Sequence, residues 1–501
     1  MKWQLSLLVL SVLCLTTTAA LAQNKKHSEF DQIRLDAPVP PSVTGAMQKL
    51  IASSAATVYP AAYSQSLRSS SFSAACQQRT NSQIEISSYS GESLMGGGTL
   101  QLTGYDSPRP TLGGLFEVQP ASFLGIASSH GLLVGDRSNA FPAVRGCGGI
   151  GGSGVPGNGC GDPSPVGGRF SGLFGTSLHA VDTNDQGDTV FLSDIDQGST
   201  TRGLFLFDIS TMTTRTIASL GMSSPIGSIV ELSGGTINSS GDVVFLANSQ
   251  NSEAVLHWSK QSGLITKIVA LGDTLPTGTV TWITQNLFRH PDQSFTIAGP
   301  RPAINDRGTV AFVAEVNNNQ WGYYVYRGGQ FTVYALEGDI LPSGATLLYN
   351  GFGESVILNN QDHLGFSAGE FFSSTNQLSR WFFVTAPRIY IPRLGHRDQL
   401  FGERVTSIAI SRGPHQAIDD CGNSVFWTET DNGVQLTESI ILIDVHGVVH
   451  RIAQTGQPTP LGGTFSILDA SPSFAKSGRQ GAFRFSQAGG LSSSVIAKFS
   501  Y

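Results

Sequence analysis

An eight-residue pattern, N-x-x-G-x-x-(V/A)-F, recurs along the chain and constrains its fold more than any other feature. It stands at Asn184/Gly187/Val190/Phe191, Asn238/Gly241/Val244/Phe245 and Asn305/Gly308/Ala311/Phe312. Weaker copies follow at Asn359/Asp362/Gly365/Phe366 and Asp419/Gly422/Val425/Phe426, and a last one, longer by a residue, ends in Gly478 and Phe483. A second pattern, G-x-x-x-P-x-G, alternates with the first. It occupies Gly161/Pro165/Gly167, Gly221/Pro225/Gly227, Gly272/Pro276/Gly278, Gly338/Pro342/Gly344 and Gly456/Pro460/Gly462.

The copy over residues 301–344 shows what one unit should be. Asn305–Gly308 reads as a tight turn, in which Asx side chains cap the backbone and Gly308 takes positive φ. Residues 309–315 (TVAFVAE) form an apolar, β-branched run suited to a strand covered on both faces. Residues 323–327 and 331–336 flank Gly328-Gly329, a two-residue hairpin connection, and residues 302–304 supply a fourth strand. Such a sheet cannot bury both faces alone, so the copies must pack on one another.

Counting back to a worn first copy near residue 115 gives seven units, with six as the alternative. The last unit, residues 471–501, ends after three strands. An N-terminal strand, residues 84–88 or 99–103, would supply the missing one. The expected fold is therefore an all-β propeller of four-stranded antiparallel blades over residues 81–501, closed by that strand, since closure removes exposed edges. Only 13% of residues are charged and glycine numbers 59, which suits many short strands and turns rather than helices. The net charge of −6 argues against nucleic acid as a partner.

Residues 1–22 read as a secretory signal, with Lys2, an apolar stretch from Leu5 to Leu15 and Ala20-Leu21-Ala22 before Gln23. No later stretch could span a bilayer, so a secreted, monomeric chain without a transmembrane segment is expected. Residues 23–80 are rich in Pro, Ser and Ala and read as an extended arm. Cys147 and Cys160 bracket CGGIGGSGVPGNGC, and a disulfide between them would contribute about 3 kcal/mol by constraining the unfolded chain. Cys76 and Cys421 would then pair by elimination, or remain thiols.

The two anchors, read as GDxxPxG and NxxGxxAF, resemble those of exported bacterial tandem-repeat proteins named for the NxxGxxAF motif. The resemblance covers roughly residues 115–501 and implies a propeller-like repeat scaffold, without a common activity. Members of that group often end in a membrane or wall-sorting segment. This chain ends at Phe499-Ser500-Tyr501 instead, so surface anchoring is not expected.

Candidates for chemistry are few. The Asx-rich turns at Asn184, Asn238, Asn305, Asn359 and Asp419 invite a calcium reading, but none offers a loop with six oxygens. They are read as structural turns with Gly187, Gly241, Gly308 and Gly422, calcium being the lesser alternative and no other cofactor or metal expected. Gly146/Gly148/Gly151 formally match a dinucleotide fingerprint, which needs a preceding strand and a following helix, but here more glycine follows, inside the loop that Cys147 and Cys160 bracket. Copies that depart from the consensus are where a ligand site could be grafted on a repeat scaffold. These include His363 beside the fourth turn, and Arg388, Arg393, His396, Arg397 and Asp398 at a degenerate second anchor. Trp282 and Trp321 sit at loop positions and could stack on sugar rings, whereas Trp381 and Trp427 read as core. Residues 279–300 and 388–404 read as long connections.

The leading reading is a secreted non-catalytic propeller binding an extracellular glycan, protein or surface component. The alternative is a secreted hydrolase or lyase acting on polysaccharide at the channel mouth, and a surface-layer interaction protein is a third.

Overall fold

Each Asn turn folds the way its residues dictate. The Asn305 Oδ1 accepts the backbone N–H groups of Arg307 (3.1 Å) and Thr309 (3.0 Å), while Gly308 sits at φ 73°. The turn joins a short strand, Ala303–Ile304, to Val310–Val316, which pairs antiparallel with Gln320–Arg327, and that strand in turn with Gln330–Leu336. The expected strands of this copy are thus present within a residue or so at most of their ends. The computed structural model describes residues 83–500 apart from several connecting segments, among them 102–108, 147–160, 174–180, 350–355 and 410–416. The expected leader, the arm and Cys76, Cys147 and Cys160 lie outside the described residues.

One strand per unit was not anticipated. In the second anchor, the chain reverses between Thr274–Leu275 and Gly278–Trp282, with Gly278 at φ 152°. Gly278–Trp282 then pairs with the far end of Val310–Val316, so that strand is edged by two segments in series. A β-bulge between Val280 and Trp282 accommodates the turn toward the next sheet. The same hairpin recurs as Ser223–Ser224 with Gly227–Leu232 and as Gln399–Leu400 with Glu403–Ala409. The segments expected as long connections are therefore partly sheet. Residues 279–300 contain all but the first residue of Gly278–Trp282 and a hairpin of Leu287–Arg289 with Phe295–Ile297, and residues 388–404 contain Ile389–Gly395.

The described strands form seven antiparallel sheets of five or six strands and one two-stranded hairpin, with no helix among the described residues. Six apolar cores join neighbouring sheets along the chain. Phe191 and Phe205 of the second sheet meet Leu132 and Val144 of the first, while Leu204 and Leu206 on its other side meet Phe245 and Leu256 of the third. Successive strand residues point to opposite faces, so an inner strand such as Val243–Ser249, packed between two neighbouring sheets, is apolar on both. Farther round, Trp381 and Phe383 pack with Phe426, and Ile440 and Leu442 pack with Phe483 and Phe499.

The first and last described strands then meet. Gln83–Tyr89 pairs antiparallel with Ser494–Ser500, setting Ile84 opposite Phe499, and Arg109–Pro110 of the first sheet lies against Ser473–Phe474 of the last. The expectation of an all-β propeller completed by an N-terminal strand is met. Of the two candidate segments, 84–88 supplies the closing strand; Thr99–Gln101 belongs to the first sheet.

Candidate functional site

Two sets of residues gather polar and aromatic side chains, one at each end of the strands. At the turn end the Asn side chains serve one another. The amide Nδ2 of Asn184 donates to the carbonyl of Asn238 (3.1 Å), Asn238 to Asn305 (3.3 Å), Asn305 to Asn359 (3.0 Å) and Asn359 to Asp419 (2.9 Å). A second file runs beside it, in which the backbone N–H of Ser239 donates to Asp306, that of Asp306 to Asn360 and that of Asn360 to Asp420. The Asn360 amide also bridges the Asp306 and Asp420 carboxylates at 2.8 and 3.0 Å, and burial pushes the Asp420 carboxyl above its ordinary range. These polar atoms are committed to joining sheets. No group of three or more His, Cys, Asp or Glu side chains able to hold a metal occurs among the described residues.

The departures from consensus sit in this framework. Asp362 takes the position that glycine fills elsewhere, at φ 62°, and its carboxylate receives Asn305 (2.7 Å), Arg327 (3.0 Å) and Arg307 (3.5 Å). His363 lies edge-on to Phe383, and burial lowers its imidazole pKa to about 4, so it is neutral at physiological pH. Arg393 is buried over the Phe383 ring and donates to the carbonyls of Asp444 and Gly422. Arg397 replaces the anchor glycine at φ 78°, and Asp398 keeps the anchor aspartate's role. Its Oδ2 accepts Gly395 N–H, as Asp339 accepts Leu336 and Asp273 accepts Ala270. Asp398 also pairs with both terminal nitrogens of Arg380. His396 is half-buried, with its pKa lowered mainly by desolvation, and Arg388 is an exposed turn residue ion-paired to Asp339 at 3.4 Å. Asp362, Arg388, Arg393 and Asp398 thus each make a local polar contact, and His363 a ring contact.

The opposite end presents a row across the fourth sheet. Trp282 pairs with Glu315, and Glu315 with Trp321. The Trp321 carbonyl then accepts the N–H of Glu337 at 2.8 Å. The order is Trp, Glu, Trp, Glu on four successive segments. The Trp282 and Trp321 ring centroids lie 6.2 Å apart, and Tyr349, entering the fifth sheet, stacks on Trp321 at 4.5 Å and 15°. Trp282 is 41% exposed, whereas Trp381 and its strand neighbours are core, as expected. Thus the structure brings Trp282 and Trp321 together. Sequence reasoning missed Glu315, Glu337 and Tyr349, although the lone charge ending TVAFVAE was a usable signal.

Carboxylates continue along this rim. In the third sheet Glu231 pairs with Asn248 and Asn248 with Glu253, at the same register as Trp282, Glu315 and Trp321. Burial raises the Glu231 carboxyl to about 7; Arg202 and Asn248 oppose the shift and Glu253 adds to it. Burial, then Glu337, raises Glu315. Because the folded state holds the Glu231 proton more tightly than the unfolded chain, stability falls as pH rises from about 4.5 to about 7. Glu231→Gln should remove that slope, so the variant gains melting temperature on wild type progressively across this window. Parallel profiles from thermal unfolding would refute the assignment.

Among solved structures, oligogalacturonate lyase from Vibrio parahaemolyticus is similar at 9% identity and TM-score 0.43, over 84% of this chain and 96% of that one. The β-propeller domain of the Trilobed protease from Pyrococcus furiosus is similar at 6% identity and TM-score 0.40, over 78% of this chain and 94% of that one. TolB from Acinetobacter baumannii is similar at 11% identity and TM-score 0.32, over 59% of this chain, which spans about half (54%) of that protein. Likeness at this level concerns the fold and leaves chemistry to the site itself. No curated protein matches the chain. A family model does match, over residues 237–494, just over half of the chain and the whole of the Trp282–Tyr349 row. The chain belongs to that family, a family of unknown function (DUF7453).

Proposed function

We propose that this protein is an exported, non-catalytic propeller that binds an extracellular glycan along the Trp282–Tyr349 row. The observation that carries the reading is the exposed Trp282 ring beside Trp321, itself stacked on Tyr349. Indole faces offer the flat apolar surface on which the C–H face of a sugar stacks, and the adjacent carboxylates accept hydrogen bonds from hydroxyls. The scaffold suits the task because the row spans rigid strands rather than a free loop. Export is supported by the apolar leader at residues 1–22. No helix among the described residues is long and apolar enough to cross a membrane.

Polysaccharide pull-down followed by titration tests this directly. Trp282→Ala and Trp321→Ala should each weaken retention roughly tenfold, the equivalent of about 1.4 kcal/mol, with melting temperature little changed for the exposed Trp282. Unaltered retention in both variants would place binding elsewhere.

A second reading, a secreted hydrolase or lyase acting on polysaccharide, is favoured by one observation. Burial raises the Glu231 carboxyl to about 7, in the range that suits a general acid–base group, and Glu253 lies on the same rim across Asn248. Mass spectrometry of the retained polysaccharide separates the two: intact chains support binding, and shortened or unsaturated products support catalysis.

A further inference from the structure

Resting on the glycan reading above, we propose that the row selects saccharides bearing a free protonated amine, of the glucosamine type, over neutral and acidic ones. Two carboxylates alternate with the two indoles, so any sugar stacked on Trp282 and Trp321 lies against Glu315 and Glu337. Among the described residues, Arg388 pairs with Asp339 and Lys267 with Asp273, while Arg307 and Arg327 pair with Asp362 at the turn end. Among the described residues no Lys, Arg or His forms an ion pair with Glu315 or Glu337.

Among the described residues the Glu337 carboxylate accepts long contacts from two backbone N–H groups, Trp321 at 3.5 Å and Tyr349 at 3.4 Å. Glu315 is partly desolvated and repelled by Glu337. With no counter-cation among the described residues, the Glu315 carboxylate is in a position where a ligand ammonium would stabilise it. The same ammonium is attracted to the electron-rich indole faces. A uronate carboxylate would meet repulsion on both counts, and an N-acetyl group would remove the charge that gains most.

The test is titration calorimetry on the mature chain at about pH 6.5, low salt, where carboxylates are mostly ionised and amines protonated. The probes are hexamers of glucosamine, N-acetylglucosamine, glucose and galacturonate, with a lysine-rich peptide as the non-saccharide cation. The glucosamine hexamer should bind at least about tenfold tighter than the acetylated and neutral hexamers, and galacturonate should not bind. Glu315→Gln, close in size and shape, should narrow the preference for the glucosamine hexamer over the glucose hexamer, and adding Glu337→Gln should abolish it. Equal binding of neutral and amine-bearing hexamers to wild type would overturn the selectivity and leave the glycan reading standing. Binding of the peptide with no hexamer bound would overturn both, as would binding of nothing. Selectivity that survives Glu315→Gln and the corresponding Glu337→Gln would overturn the assignment to this row.

Discussion

A chain lacking residues 1–94 is expected to lose on the order of 5 kcal/mol of stability, a large part of what a domain holds. Gln83–Tyr89 is the outer partner of Ser494–Ser500, with Ile86 buried among Phe483, Phe485 and Phe499. Burying Ile86 alone is worth about 2 kcal/mol, and Ile84 and Tyr89 add part of their area. Removing the strand also exposes the backbone edge of the last strand, a template for pairing with another chain. Thermal unfolding and light scattering on chains starting at residues 75 and 95 check both effects. Equal melting temperatures, with no added association in the shorter chain, would show that closure contributes little.

Asn305→Ala should cost about 3 to 5 kcal/mol despite removing only a small amide. The side chain is buried and makes four contacts. Two are to its own turn, one is to the carbonyl of Asn359 and one is to Asp362. Alanine strands two backbone N–H groups and two acceptors, each worth about 1 to 3 kcal/mol when buried without a partner, with water recovering part of that. Asn305→Asp separates the two roles. It keeps the acceptor for the turn but sets a carboxylate against Asp362, so its deficit should shrink as pH falls through the carboxylate range. Urea unfolding at neutral and acidic pH measures both variants. A cost near about 0.5 kcal/mol for Asn305→Ala, as for a surface site, would mean that the turn needs no side-chain support.

Much of this architecture is legible in the residues. The run TVAFVAE, the Gly328-Gly329 connection and the Asn turn each specify their element locally, and the period of the turns leaves few folds that bury both faces of every strand. The strand after the second anchor was not legible, because GTVTW and TLL are short and gain their partner only from the next sheet. The site was harder. His363, Arg393 and Asp398 look like departures from consensus, yet Phe383, Arg380 and nearby carbonyls account for their contacts. In contrast, Glu315, Glu337 and Tyr349 acquire meaning only from register, because three separate segments set them beside Trp282 and Trp321. Spacing along the chain cannot report that.

The head-to-tail file of asparagine amides has a bearing on how such a chain can grow. Each turn from Asn184 to Asn359 gives one amide proton forward and, from Asn238 onward, receives one from behind. A gene duplication that copies one whole unit therefore brings a matched giver and receiver, wherever in the file it lands. A duplication of part of a unit leaves one end unmatched. Asp419 receives but has no amide to give, which marks the place where the lineage of interchangeable copies stops.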